Sequence, residues 1–268
     1  MPDSNLARKN LERYEKLGFI GPIKAFNEAE MHEVAQLVLR EHKEQKGILS
    51  VKRNRHLDWD AARRLTIAPA IVDIATQILG PELILWRTNF FVGDTGKGIR
   101  WHQDEYRTLL SDPLHQISIH LGITEAQEDN CIMVIPGSHK MTFEELAEQG
   151  FSFIPGSEKG SYGTPGFWRH PEYSLNKIKM VLRAGEFFVF HPRLLHASYD
   201  LTAPPSTPPG MSSSAMAKAQ LFTRVGFALR ITVPENKVLP AAFAETISRG
   251  DKPVKLVTPT GIEPVLRP

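Results

Sequence analysis

A single cysteine, Cys131, among 268 residues excludes an intramolecular disulfide, so the chain carries no mark of an oxidising compartment. No run of about 18 apolar residues occurs, which leaves nothing to span a bilayer as a helix. The first residues, MPDSNLARKNLERYEKLGF, lack the apolar centre of a secretory signal. Neither sign of charge dominates: 32 basic and 30 acidic residues give a net charge of +2, with no basic block. Nothing there calls for a nucleic-acid partner, whose phosphates need a concentrated cationic surface. The expectation is a cytoplasmic protein that meets neither membrane nor nucleic acid. Its 41% hydrophobic and 23% charged residues are ordinary for a folded chain. The length suits a single domain over 1–268.

Apolar spacing predicts a helix over 4–17, with Leu6, Leu11, Tyr14 and Leu17 set among charges and Ser4 as its N-cap. A second helix follows Asn27, a good N-cap ahead of Glu28 and Glu30. A third runs over 68–79 and stops at Gly80-Pro81. The character then changes. Strands are expected over 82–92, 117–124, 131–135, 179–182, 186–190 and 221–233. In the second of these, Ile117, Ile119, Leu121 and Ile123 alternate with Ser118, His120, Gly122 and Thr124, one apolar face against one polar face. Helices first, then short strands between Pro/Gly turns, describe an α+β chain with a β-sandwich or jelly-roll core. Residues 151–176, with four glycines and three prolines, read as loop. Residues 202–220, TAPPSTPPGMSSSAMAKAQ, read as a mobile insert, either solvated or a lid.

The segment Trp101-His102-Gln103-Asp104 carries chemistry. Residues at i and i+2 on an extended chain point the same way, so His102 and Asp104 can occupy two positions on one side of a metal. The hydrophobic run Phe187–Phe190 then delivers His191 and His196, the latter followed by the small residues Ala197 and Ser198. His196 can supply a third ligand; His191 is its competitor, or a turn residue before Pro192. Two histidines and one carboxylate leave coordination positions open, as Fe(II) oxygenases require for cosubstrate and oxygen. On Arg224–Arg230 the alternation places Arg224, Gly226, Ala228 and Arg230 on one face. Small residues between two arginines suit a cavity wall, and a guanidinium can grip a carboxylate such as the distal one of 2-oxoglutarate.

The order of HxD, distant His and then Arg is accompanied by matching segments through most of the chain. They are YEKLGFIGP (14–22), RHLD (55–58), ILGP (78–81), WRTNFF (86–91), WHQ (101–103), IPGS (135–138), HASY (196–199) and GFALR (226–230). On these the chain resembles the phytanoyl-CoA dioxygenase-like superfamily, and within it the non-haem iron halogenases of the syringomycin threonyl-halogenase type. The resemblance implies a double-stranded β-helix (jelly roll) with supporting N-terminal helices. It implies Fe(II), 2-oxoglutarate and O2, with His102 and His196 as metal ligands and Arg224 on the 2-oxoglutarate. In those halogenases a Trp also helps hold 2-oxoglutarate; His120 stands at its position. They have Ala or Gly where this chain has Asp104, and that vacancy takes chloride. Their chloride-organising Asn matches Leu109, and a Glu matches Asn89. The ligand set is thus that of a hydroxylase.

Asn89, Tyr106, Arg107 and Arg230 are the polar candidates for substrate binding, although Arg230 can equally serve as a hydrogen-bonding support. The expected substrate is a small polar or anionic molecule of amino-acid or aminophosphonate type, or an aminoacyl group tethered to a carrier protein. Two other classes of protein carry similar residues: a jelly-roll binding protein without catalysis, and a zinc hydrolase. The intact triad argues against the first. Arg224, and the lack of a nearby general-base motif, argue against the second.

Overall fold

A computed structural model describes residues 4–44, 53–57, 59–93, 99–128, 130–155, 166–169, 176–198, 224–239, 242 and 262–264. The N-terminal part is helical: α1 (Ser4–Leu17), α2 (Glu28–Glu44), α3 (Asp60–Thr66) and α4 (Pro69–Leu79), with β1 (Phe19–Lys24) between the first two. Gly18 ends α1 at φ +83°, a left-handed conformation that glycine enters without a steric penalty. Asn27 caps α2 as expected: its Oδ1 accepts from Glu30 N at 2.9 Å, and Glu30 Oε2 accepts from Asn27 N at 2.9 Å. The short α3 escaped the apolar-spacing criterion because seven residues hold only two turns.

The strands are β2 (Leu83–Gly93), β3 (Ile99–His102), β4 (Gln116–Gly122), β5 (Ile132–Val134), β6 (Ser152–Pro155), β7 (Gly166–Arg169), β8 (Ile178–Met180), β9 (Glu186–Phe190), β10 (His196–Ser198), β11 (Arg224–Thr232) and β12 (Ile262–Pro264). They form two six-stranded sheets. The major sheet has the order β1-β9-β4-β11-β2-β12 and the minor sheet β6-β7-β3-β10-β5-β8. Helices followed by two largely antiparallel sheets make this the α+β jelly roll the sequence describes.

Residues 151–176 are corrected. Within them β6 and β7 pair antiparallel from Ser152↔Arg169 to Pro155↔Gly166, and β7 joins β3 at Trp101↔Trp168. The Gly/Pro content hid two four-residue strands whose aromatic residues pack on α5 (Phe143–Glu148), itself started by a Thr142/Glu145 capping box. The insert 202–220 lies outside the described residues.

Alternation along the major sheet separates two interiors. Val225, Phe227, Leu229 and Ile231 of β11 join Ile117, Ile119 and Leu121 of β4 in a cluster with Met31 of α2 and with Ile71 and Ile74 of α4. The helices therefore cover one face of the sheet. Burying such a side chain contributes about 1.5–3 kcal/mol. On the opposite face Phe188 and Phe190 pack with Ile132, Val134 and Met180 of the minor sheet. That inner face carries the site. Among the described residues no helix is long and apolar enough to cross a membrane.

Candidate active site

Two register rows run across the inner face of the major sheet. One aligns Arg87, Arg230, Ser118 and Phe190; the next aligns Asn89, Ala228, His120 and Phe188. Opposite them, on the minor sheet, His102 ends β3 and His196 begins β10, and the two are direct cross-strand partners. Asp104 follows β3 in an irregular segment, fixed by a hydrogen bond from its N–H to Pro192 O at 2.7 Å. The structure thus brings His102, Asp104 and His196 together, with one donor atom of each lying within 4.8 Å of the others. All three are buried.

The hydrogen bonds set the imidazole tautomers. Nδ1 of His102 lies 2.8 Å from Arg100 O, and Nδ1 of His196 lies 2.9 Å from Leu194 O. A carbonyl only accepts, so Nδ1 carries the proton on both rings and each Nε2 presents a lone pair. Both Nε2 atoms face the same carboxylate oxygen, Asp104 Oδ1, at 3.9 Å. Burial drives both histidines toward the neutral form, His196 down to about 3. Burial alone would push the Asp104 carboxyl up. The Arg230 guanidinium, helped by the Ser118 hydroxyl, overcomes this and holds it below its ordinary value. Two neutral imidazoles and one carboxylate, all pointing at one spot, are a donor set that fits Fe(II).

His102 and His196 line a pocket with Phe91, His120, Arg224, Ala228 and Arg230. Arg224 is buried and donates from Nη1 to Asn130 O at 2.8 Å. The His120 ring lies over Gly226, so close that a Cβ there would sit 2.5 Å from its Cε1. Burial, then the nearby Arg224, keep His120 neutral. Gly226 thus makes room for the His120 ring, while Ala228 lines the pocket between Arg224 and Arg230.

The remaining candidates are dispersed. Arg230 and Tyr106 both bond to Asp104. Asn89 shares the inner face, and its Oδ1 is buried with no hydrogen-bond partner among the described residues. Arg107 pairs with Glu105 at a separate cavity of about 290 Å³, behind the metal-facing side of the 102–105 segment, and does not line the triad pocket. His191 is outside the cluster: its Nδ1 accepts from Arg193 N at 3.0 Å and its ring packs near Tyr14 and His139. Leu109 is packed with Ile84, Trp86 and Leu110. Sequence reasoning missed Ser118, which donates to Asp104 Oδ2 at 2.7 Å, and Gln116, whose Nε2 donates to Asp104 O at 2.9 Å. Both lie on the same strand face as His120, and that shared period of two was the available signal.

The model of the phytanoyl-CoA dioxygenase (PhyH) family matches residues 14–204, well over half of the chain. The chain belongs to that family of dioxygenases. No curated relative matches. Among solved structures it is similar to SnoN, an epimerase in complex with Fe3+, alpha ketoglutarate and a nogalamycin compound, at TM-score 0.66 and 16% identity over 99% of this chain and 97% of that one. It is also similar to CytC3 with Fe(II) and alpha-ketoglutarate, at TM-score 0.57 and 22% identity over 87% and 79%. A third is EctD from S. alaskensis with 2-oxoglutarate and 5-hydroxyectoine, at TM-score 0.60 and 17% identity over 88% and 78%. At these identities the likeness is one of fold.

Proposed function

We propose that the chain is one oxygenase domain that hydroxylates an unactivated C–H bond of a small polar molecule, holding Fe(II) through His102 Nε2, Asp104 and His196 Nε2. The carrying observation is the convergence of both Nε2 lone pairs on Asp104 Oδ1. When bound, Fe(II) and 2-oxoglutarate supply the oxidising power that places an oxygen atom from O2 on the substrate carbon. The residues do the rest. Arg224 meets the distal carboxylate of 2-oxoglutarate, with His120 beside it as a neutral polar contact. Phe91 and Phe190 line the pocket and give it apolar walls. Because Asp104 fills the position a halide would need, the product gains oxygen and no halogen. The packing of Leu109 supports this, since an apolar side chain offers a halide nothing.

Substrates of amino-acid or aminophosphonate type are proposed because Asn89, beside the pocket on the inner face, has an Oδ1 that lacks an N–H or O–H donor among the described residues. A carrier-tethered aminoacyl group offers the same kind of donor. The test is anaerobic addition of Fe(II) and 2-oxoglutarate, followed by a substrate screen that watches the visible charge-transfer band. A band that shifts with a free amino-bearing compound, and turnover that adds one oxygen without needing chloride or bromide, are expected. Absence of the band, or a halogenated product, would overturn the reading.

A further inference from the structure

Asp104 is held more completely than a metal ligand needs to be. Its Oδ2 accepts from Arg230 Nη2 at 2.8 Å and from Ser118 Oγ at 2.7 Å. Its Oδ1, the oxygen that faces both imidazoles, accepts from Tyr106 Oη at 2.8 Å. Arg230 and Ser118 are cross-strand partners on β11 and β4 of the major sheet, whereas both histidines belong to the minor sheet. The carboxylate is therefore where the two sheets are tied together across the pocket. Each nitrogen of Arg230 makes one bond: Nη2 is on Asp104, Nε donates to Tyr106 Oη at 3.2 Å and Nη1 to Leu229 O at 3.3 Å, which together use three of its five N–H groups.

From this we infer that Arg230, Ser118 and Tyr106 are positioning residues that clamp the Asp104 carboxylate so that Oδ1 alone meets the metal. The inference rests on the metal reading above. Rotating Oδ2 onto the metal would break two hydrogen bonds in a buried place, one of them charge-assisted, and such bonds are the strong ones. Groups of this kind, which orient a ligand without touching the metal, typically change metal affinity by roughly 10–100-fold when removed.

The experiment is a double-mutant cycle read by Co(II) binding and by the visible Co(II) spectrum, with no turnover involved. Ser118→Ala and Tyr106→Phe are made in the wild-type chain and in Asp104→Ala, with Arg230→Gln as a third variant. Urea unfolding of each metal-free variant checks that it folds, and if Arg230→Gln does not, the other two carry the test. Expected are a loss of Co(II) affinity of roughly tenfold and an altered spectrum in the wild-type background, both absent in the Asp104→Ala background. An equal loss in the two backgrounds overturns the clamp, since the residues would then act on the fold and not through Asp104. Unchanged affinity and spectrum in all variants also overturn it. If the wild-type protein takes up no Co(II) at all, the metal reading itself fails and the clamp falls with it.

Discussion

Gly226 offers a perturbation whose size can be worked from the structure. An alanine there would place its Cβ 2.5 Å from His120 Cε1 and 2.6 Å from Nε2. Ordinary carbon contacts lie near 3.5–4.0 Å, so the ring must withdraw by about 1 Å. It has little space to do so: Phe188 lies at 5.9 Å and Phe91 at 6.4 Å between ring centroids, and the open direction is the pocket itself. The backbone at 226 raises no objection, since it lacks a positive φ. Overpacking of this kind costs typically about 1–3 kcal/mol. Gly226→Ala is therefore expected to lower stability by that amount and to weaken 2-oxoglutarate binding, because His120 moves into the cosubstrate's space. Urea unfolding and anaerobic calorimetry measure the two effects. Removing the ring should remove the conflict, so adding Gly226→Ala to His120→Ala should cost little further stability. If the glycine substitution costs the same with and without His120, or if it leaves both stability and 2-oxoglutarate affinity untouched, the packing argument is wrong.

Arg224→Lys keeps the charge and loses the planar fork; charge-assisted bonds are worth about 1.5–3 kcal/mol, so 2-oxoglutarate affinity measured by calorimetry should fall roughly tenfold or more, and an unchanged affinity would move the role to His120. Single alanine variants should show bound Fe(II) lost at His196 and retained at His191, by metal analysis after desalting; the opposite pattern would reverse the ligand assignment. His56 is buried, bonded to Thr88 Oγ1 at 2.8 Å, and pushed by burial down to about 3 from an ordinary 6.5. Between those values the unfolded chain binds the proton and the folded chain does not, so its share of stability is complete above pH 6.5 and is lost as pH falls. At pH 5 the loss is roughly 2 kcal/mol. Wild type should lose about that much more than His56→Gln between pH 8 and pH 5 in urea unfolding, and equal losses would refute the assignment.

What was legible in the sequence was periodic. The alternation on β4 and β11 survives residue for residue: Ile117, Ile119, Val225 and Phe227 face the helices, while Ser118, His120, Arg224 and Arg230 face the pocket. The i, i+2 spacing of His102 and Asp104 was readable for the same reason. What was not legible lay in pairing. A three-residue strand such as β10 has no period of its own, and its identity comes from lying between β3 and β5. Likewise β6 and β7 are held by each other and by Trp101, not by propensity. Arg230 could be read as facing the cavity, but not as bound to Asp104. That choice depends on the segment 103–107 folding back over β4, where Asp104 O reaches Gln116 and Tyr106 reaches Asp104.

The charges show why the clamp and the cosubstrate belong to one design. Asp104 and Arg230 alone form a neutral pair, so the folded chain can bury them before any metal arrives, and a buried charge without a partner is what proteins avoid. On the proposed reading, a divalent cation added to that pair brings the formal charge to two positive, and Arg224 in the same pocket makes it three. 2-Oxoglutarate carries two negative charges, one carboxylate for each end of the pocket. With it the excess falls to a single positive charge. Metal and cosubstrate therefore each make the site more favourable for the other, and by linkage the two effects are equal in size. The spacing of Arg224 and Arg230 along one strand face sets this up. On the proposed reading, one arginine holds the ligand carboxylate, and the other, which donates to Asn130 O, is the one expected to meet the carboxylate of the cosubstrate.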